Sequence, residues 1–247
     1  MPSINLANGS HLQYEVSGQG PVLLAFAPGG LKSRSELWLR REDGRPRGII
    51  GPVEAFAERF TVLTLDQRNA GQSRAPLSAS DGWDAYADDH LLLLDALGIE
   101  HCHLLGACIG PSFALKLIER APQRVVSAVL QQPIGKSPDN GALRREMFQA
   151  WAGGLDTPVE QPVLASVEHN LFGGDFVYSV SRDFVRHCQT PLLVLPGDDA
   201  RHPRAVAEEI AELAPNAKLF ADWQTDAGKA RYIDELQHFF NAAGAPQ

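Results

Sequence analysis

The 247-residue chain reads as one α/β domain, a parallel sheet with helices over both faces. Three observations predict this. The stretches 22–27, 61–65, 101–107, 125–130 and 191–195 are near-continuous apolar runs of strand length, the pattern of strands buried on both sides. Helical periodicity fills most of the intervals between them, giving the strand–helix alternation of parallel sheets. At 44% hydrophobic and 21% charged, the chain has the composition of an ordinary globular domain.

Residues 4–6 and 12–16 read as a hairpin, because Asn8-Gly9 is a strong turn signal and Leu12, Tyr14 and Val16 alternate. Strand 22–27 ends in Pro28-Gly29-Gly30. Residues 31–50 form an unusually long loop containing Trp38, and such loops tend to be functional or mobile. Its basic residues, Arg34 to Arg47, are interspersed with Glu36, Glu42 and Asp43, as on a solvated segment. Pro52 opens a helix over 52–60, with Val53, Phe56, Ala57 and Phe60 on one face. Strand 61–65 runs into Asp66-Gln67-Arg68-Asn69-Ala70-Gly71-Gln72-Ser73. Helix 83–97 carries Trp83, Tyr86, His90, Leu93, Leu94 and Leu97 on one stripe, and Gly98 closes it. His90 lies on the apolar side and reads as a hydrogen-bonded core residue.

Strand 101–107 enters Gly106-Ala107-Cys108-Ile109-Gly110, and helical spacing follows through Phe113, Leu115, Leu117 and Ile118. Strand, tight turn and helix in that order strain the central residue and lift its side chain over the helix N-terminus. A thiol there meets the positive end of the helix dipole, which favours thiolate. Residues 131–190 break the alternation: they hold a helical segment at 142–151 and the pairs Gly153-Gly154 and Gly173-Gly174. Strand 191–195 precedes Gly197-Asp198-Asp199-Ala200-Arg201-His202-Pro203. A helix over 203–213, a strand over 218–223 and a helix over 227–243 complete the chain.

With these motifs the chain resembles the α/β-hydrolase family along nearly its whole length. The resemblance implies a mostly parallel eight-stranded sheet, a core of residues 1–130 and 191–247, and a small cap at 131–190 inserted after the sixth strand. It makes Gly106-x-Cys108-x-Gly110 a nucleophile elbow with Cys in place of the usual Ser. Pro28-Gly29-Gly30 matches the turn that supplies oxyanion-hole donors, which implies the backbone N–H of Gly30 or Leu31, together with that of Ile109. Residues 66–73 match a structural turn in which Asn69 replaces a Gly, and Asn tolerates left-handed backbone. The catalytic acid would be Asp199, from its spacing to Pro203, with the adjacent Asp198 left open. Phe148, Trp151, His169, Phe172 and Tyr178 of the cap, with Trp38, are expected walls of a substrate pocket.

One motif departs from the family. The catalytic His belongs after the eighth strand, and Gln224-Thr225-Asp226-Ala227-Gly228 contains none. The later His238 lies inside the last helix, directly before Phe239-Phe240. His202, three residues past Asp199, is the leading substitute, and His169 in the cap is the next. A thiol needs a base less than a hydroxyl does, because part of it is already ionised at neutral pH.

The expected function is therefore a Cys-dependent hydrolase or acyl-transfer enzyme acting on a small ester, lactone or thioester with a good leaving group. The alternatives are a non-catalytic small-molecule binder and a lyase or isomerase using the same pocket. No cofactor is implied. Cys108, Asp199 and His202 are metal-ligand types without the tight spacing of a metal site. A formal net charge of −8 argues against nucleic acid as a partner. The longest apolar runs are strand-length, so no membrane partner is expected. Cys102, Cys108 and Cys188 follow no disulfide framework, and Met-Pro-Ser-Ile-Asn does not resemble a signal peptide, so a cytoplasmic protein is expected. The oligomeric state stays open, a homodimer included.

Overall fold

The computed structural model describes residues 2–47 and 51–244. The end of the 31–50 loop, residues 48–50, lies outside the described residues. Eight strands form one sheet: β1 (Ser3–Asn5), β2 (His11–Ser17), β3 (Val22–Phe26), β4 (Thr61–Leu65), β5 (Cys102–Ala107), β6 (Val125–Gln131), β7 (Leu192–Leu195) and β8 (Ala217–Leu219). Their spatial order is β1-β2-β4-β3-β5-β6-β7-β8. The pairings of β2 with β1 and with β4 are antiparallel, and every other pairing is parallel.

The helices are α1 (Pro52–Phe56), α2 (Trp83–Ala96), α3 (Gly110–Arg120), α4 (Gly141–Ala152), α5 (Gln161–Phe172), α6 (Arg182–His187), α7 (Arg204–Leu213) and α8 (Asp226–Ala243). Because side chains alternate along each strand, the sheet feeds two separate cores. Leu24, Phe26, Leu63, Leu65, Leu104 and Leu130 pack with Trp83, Phe113, Ile118 and Ile210 from α2, α3 and α7. Leu23, Ala25, Val62, Leu105 and Val129 pack with Phe56, Leu236 and Phe240 from α1 and α8. Strands covered on both faces are why the sequence runs are continuously apolar rather than alternating.

Local chemistry explains the expected turns. Asn69 adopts φ 55°, and its side-chain oxygen accepts the Ala75 N–H at 2.9 Å. Asp66 accepts the backbone N–H groups of Ser35 and Gln72, both at 3.0 Å, and so ties the 66–73 turn to the long loop. His90 is fully buried against Phe26, with Nε2 2.8 Å from Gln67 Oε1. Burial lowers its pKa to about 3, so it stays neutral at physiological pH.

Three elements differ from expectation, the first being α1, which ends at Phe56 instead of running to Phe60. The eighth strand covers only Ala217–Leu219 instead of 218–223, because the chain turns away toward Trp223, whose indole N–H donates to Pro196 O at 2.7 Å. Residues 131–190 hold three helices, α4 to α6, where one helical segment was legible.

Candidate functional site

The elbow is built by close backbone approach. A Cβ on Gly106 would lie 2.4 Å from the carbonyl carbon of Gly110, and one on Gly110 would lie 2.6 Å from Phe26 O. Only glycine lets β5 pass so tightly under α3. Cys108 between them has φ 62°, a strained value for a side chain with a Cβ. The neighbouring chain holds it there: the Cys108 N–H donates to Gln131 O at 3.0 Å, and Cys108 O accepts from the Ile134 N–H at 3.1 Å.

Asp199 and His202 both follow β7. The two strands β5 and β7 flank β6, so their C-terminal ends lie about 10 Å apart at the usual strand spacing. An imidazole side chain bridges most of that gap. His202 Nδ1 lies 2.9 Å from Asp199 Oδ1 and 3.0 Å from Oδ2. The same carboxylate accepts the backbone N–H groups of Arg201 and His202, at 2.8 and 2.9 Å, which fixes the loop around the ring. The side chain of His202 is 14% exposed. Its Nε2 is buried without a hydrogen bond of ordinary geometry, and the Cys108 thiol is the group beside it.

The electrostatics follow from this contact. Burial works against a charged imidazole, but Cys108 and then Asp199 outweigh it and push His202 up to about 9. Burial likewise works against the thiolate, yet His202 and the backbone N–H groups of Gly29 and Gly30 bring Cys108 below the ordinary thiol range. Burial pushes Cys102 up to about 12 and raises Cys188 as well. Asp199, held by His202 and two backbone donors against the opposing effect of burial, lies below the usual carboxylate range. Asp198 is exposed and stands outside this network.

Gly30 is one of the expected oxyanion-hole donors, and it stands at the sulfur together with Gly29, which sequence reasoning did not include. Leu31 is fully buried in the core, and its side chain does not line the cavity over the thiol. Ile109 is the residue before the first turn of α3, and its N–H makes no turn or loop backbone bond among the described residues.

A cavity of about 420 Å³ opens over the thiol. Its walls include Pro28, Gly30, Cys108, Gln132, Met147 and His202. Of the expected aromatic walls only Tyr178 lines it. Trp38 is buried instead in the core beside Leu37 and Phe56. Phe148 and Trp151 pack on each other with ring centres 5.5 Å apart, and Trp151 donates to Asn69 O. Phe172 stands against Trp83, and His169 is exposed on α5. Trp151 and Phe172 thus tie the 131–190 segment to the 66–73 turn and to α2, because large apolar surface is buried before it is offered to solvent. Unnoticed in the sequence, Leu143, Met147 and Ala150 of α4 face the cavity together with Arg144. Their spacing of four and three residues was the available signal.

No imidazole comes from the chain after β8. His238 is exposed on α8, and the nearest contribution is Tyr232, whose hydroxyl donates to Gln131 Oε1 at 2.6 Å. Among the described residues no cluster of three or more His, Cys, Asp or Glu is arranged to hold a metal ion. No helix among them is long and apolar enough to cross a membrane.

A mostly parallel sheet with a strained turn at the C-terminal end of a central strand, entering a helix, is the architecture of the alpha/beta hydrolase fold. The chain belongs to the alpha/beta hydrolase fold family, whose profile matches residues 47–174. It is 28% identical over 123 residues to RutD of Agrobacterium fabrum, a proposed carbamate hydrolase, across 48% of this chain and 42% of that one. A RutD of Azorhizobium caulinodans is 32% identical over 135 residues, across 54% of this chain and 44% of that one. The matched stretch thus spans less than half of each of these relatives. Among solved structures, the α/β hydrolase MGS-M2 from a Medee basin deep-sea metagenome superposes with a TM-score of 0.71 at 17% identity, covering 97% of both chains. The enol-lactonase of Burkholderia xenovorans LB400 gives 0.68 at 19% identity, covering 97% of this chain and all of that one. At such identities the likeness concerns the fold.

Proposed function

We propose that the protein is a thiol-dependent hydrolase of small esters, lactones or thioesters, with Cys108 as nucleophile, His202 as acid–base and Asp199 orienting His202. The observation that carries this reading is the bond from His202 Nδ1 to Asp199 while Nε2 turns to the Cys108 thiol. It is the Ser-His-Asp arrangement of roles, with the base supplied from the acid loop.

The Cys108 thiolate attacks the carbonyl carbon, forming a C–S bond and an oxyanion that the Gly30 and Ile109 N–H groups receive. Collapse breaks the bond to the leaving group, which takes the proton from His202 Nε2. A water molecule then attacks the acyl thioester, giving its proton to His202, and the acid product leaves with thiolate and imidazolium restored. The names of the RutD relatives add carbamates to the candidate substrates. The non-catalytic alternative rests on the missing His after β8 and on Pro28 in the oxyanion turn, and an imidazole beside Cys108 favours catalysis over it.

The test is the mass of the protein quenched during turnover of a 4-nitrophenyl ester. An acyl adduct on Cys108 that disappears with turnover, and is absent from Cys108→Ala, is the expected result. Undiminished turnover by Cys108→Ala would overturn the reading.

A further inference from the structure

The charge of the cavity is unused by the acyl-transfer steps. Lys32, Arg47, Arg144 and Arg201 line it, against the two carboxylates of Glu42 and Glu146. Cations therefore outnumber carboxylates around the thiol in a chain whose formal net charge is −8. None of the four is in an ion pair among the described residues, although Arg68, Arg120, Arg124, Arg182 and Arg231 elsewhere are. Arg47 is near enough for its charge to interact with that of Cys108.

Arg144 is the best-positioned of the four. Its Nη1 donates to Phe172 O at 3.2 Å, and its guanidinium carbon sits 5.3 Å from the centre of the Tyr178 ring. These contacts orient the guanidinium plane without giving it an anion. Nε is buried with no acceptor, and no bond is made by Nη2 among the described residues. Tyr178 beside it is 7% exposed, and Asn140 is the group facing its hydroxyl. A guanidinium on the wall of a cavity, with no carboxylate paired to it among the described residues, is stabilised by an anion that enters. A guanidinium fork matches the two oxygens of a carboxylate, the anionic group that small acyl compounds commonly carry.

We infer that the acyl compound acted on at Cys108 carries a carboxylate, and that Arg144 is the specificity-determining residue that binds it. The inference rests on the acyl-transfer reading above for its reacting group, and on the cavity walls for its charge. A single anion entering this partly enclosed, net-cationic space is drawn toward the thiol and turned so that its carbonyl faces the Gly30 turn.

Two probes test it. The first compares mono-4-nitrophenyl adipate with 4-nitrophenyl hexanoate, which match in chain length and differ in a carboxylate for a methyl group. The protein is expected to favour the adipate ester in kcat/KM. Arg144→Met should lower that preference by about tenfold to a hundredfold, chiefly through KM, the usual scale for a charged hydrogen bond. Arg144→Lys, which keeps the charge and loses the fork, should fall between. The second probe needs no turnover: the rates at which iodoacetate and iodoacetamide alkylate Cys108, referred to the same ratio for glutathione. A ratio shifted toward iodoacetate, and shifted back in Arg144→Met, is expected. If neither ester turns over while the alkylation ratio still favours the anion, the hydrolase reading fails and the anion site stands. If the hexanoate is favoured, or Arg144→Met leaves both ratios unchanged in a variant with native circular dichroism, the anion site is refuted.

Discussion

Asp199 and His202 stand three residues apart on one loop, and the carboxylate holds Nδ1 of the ring at 2.9 and 3.0 Å. In the proposed reading, orienter and base therefore share a single turn after β7, and only the nucleophile comes from elsewhere. The geometry makes His202 the imidazole at Cys108, and His202→Asn should reduce turnover by about two to four orders of magnitude, the ordinary scale of acid–base help. Steady-state kinetics on a 4-nitrophenyl ester reads this directly. Turnover within about twofold of wild type would mean that the thiol works unaided.

The two adjacent acids should separate cleanly. Asp199→Asn keeps an oxygen for the loop N–H groups but loses the charge that holds the imidazolium. A fall in kcat of about a hundredfold or more is expected, as when an orienting acid becomes an amide. Asp198→Asn, at an exposed position outside the network, should change kcat by less than about twofold. The reverse pattern would move the acid by one residue.

Thiol selectivity follows from burial and partners. Cys102 is 1% exposed and raised to about 12, and Cys188 is raised by burial too. Cys108 is lowered by His202 and the Gly29–Gly30 turn in spite of burial. One equivalent of iodoacetamide at pH 7 should label Cys108 almost alone, as peptide mass mapping would reveal. Labelling spread evenly over the three would contradict the lowered pKa.

The pH dependence has a definite sign. A lowered thiol stays ionised below the ordinary thiol range, and a His202 raised to about 9 stays protonated up to that pH. Between the two, thiolate and imidazolium coexist as a coupled pair. The alkylation rate of Cys108 should therefore remain on its plateau below pH 8 and fall only as acid protonates the thiolate. In His202→Asn the acid limb should move upward, toward the ordinary thiol value near 8.5. Identical limbs in the two proteins would show that His202 does not hold the thiolate.

The elbow's backbone can be tested by stability alone. Gly106→Ala would place a Cβ 2.4 Å from the Gly110 carbonyl carbon, where neither chain segment has room to yield. A loss on the order of 2–4 kcal/mol is expected, read by urea unfolding. A change below about 0.5 kcal/mol would mean that the elbow relaxes freely.

What the sequence determined by itself was whatever is local. The strand runs, the Gly-x-Cys-x-Gly elbow, the left-handed Asn69 and the neighbourhood of Asp199 and His202 all lie within a few residues, where backbone sterics and burial act directly. Because β5 and β7 are two strands apart in a parallel sheet, even the approach of His202 to Cys108 could be anticipated from topology. Tertiary packing decided the rest. Trp38, Phe148, Trp151 and Phe172 could either line the pocket or bury themselves, and the free energy of burying large apolar surface sent all four into the core or against it. The wall was formed instead by the other face of α4: Phe148 and Trp151 on that helix turn into the core, and Arg144 and Met147 meet the thiol's cavity. Gly29 joins Gly30 at the sulfur for the same reason: contacts between segments far apart in sequence depend on how they pack, and no local pattern encodes that distance.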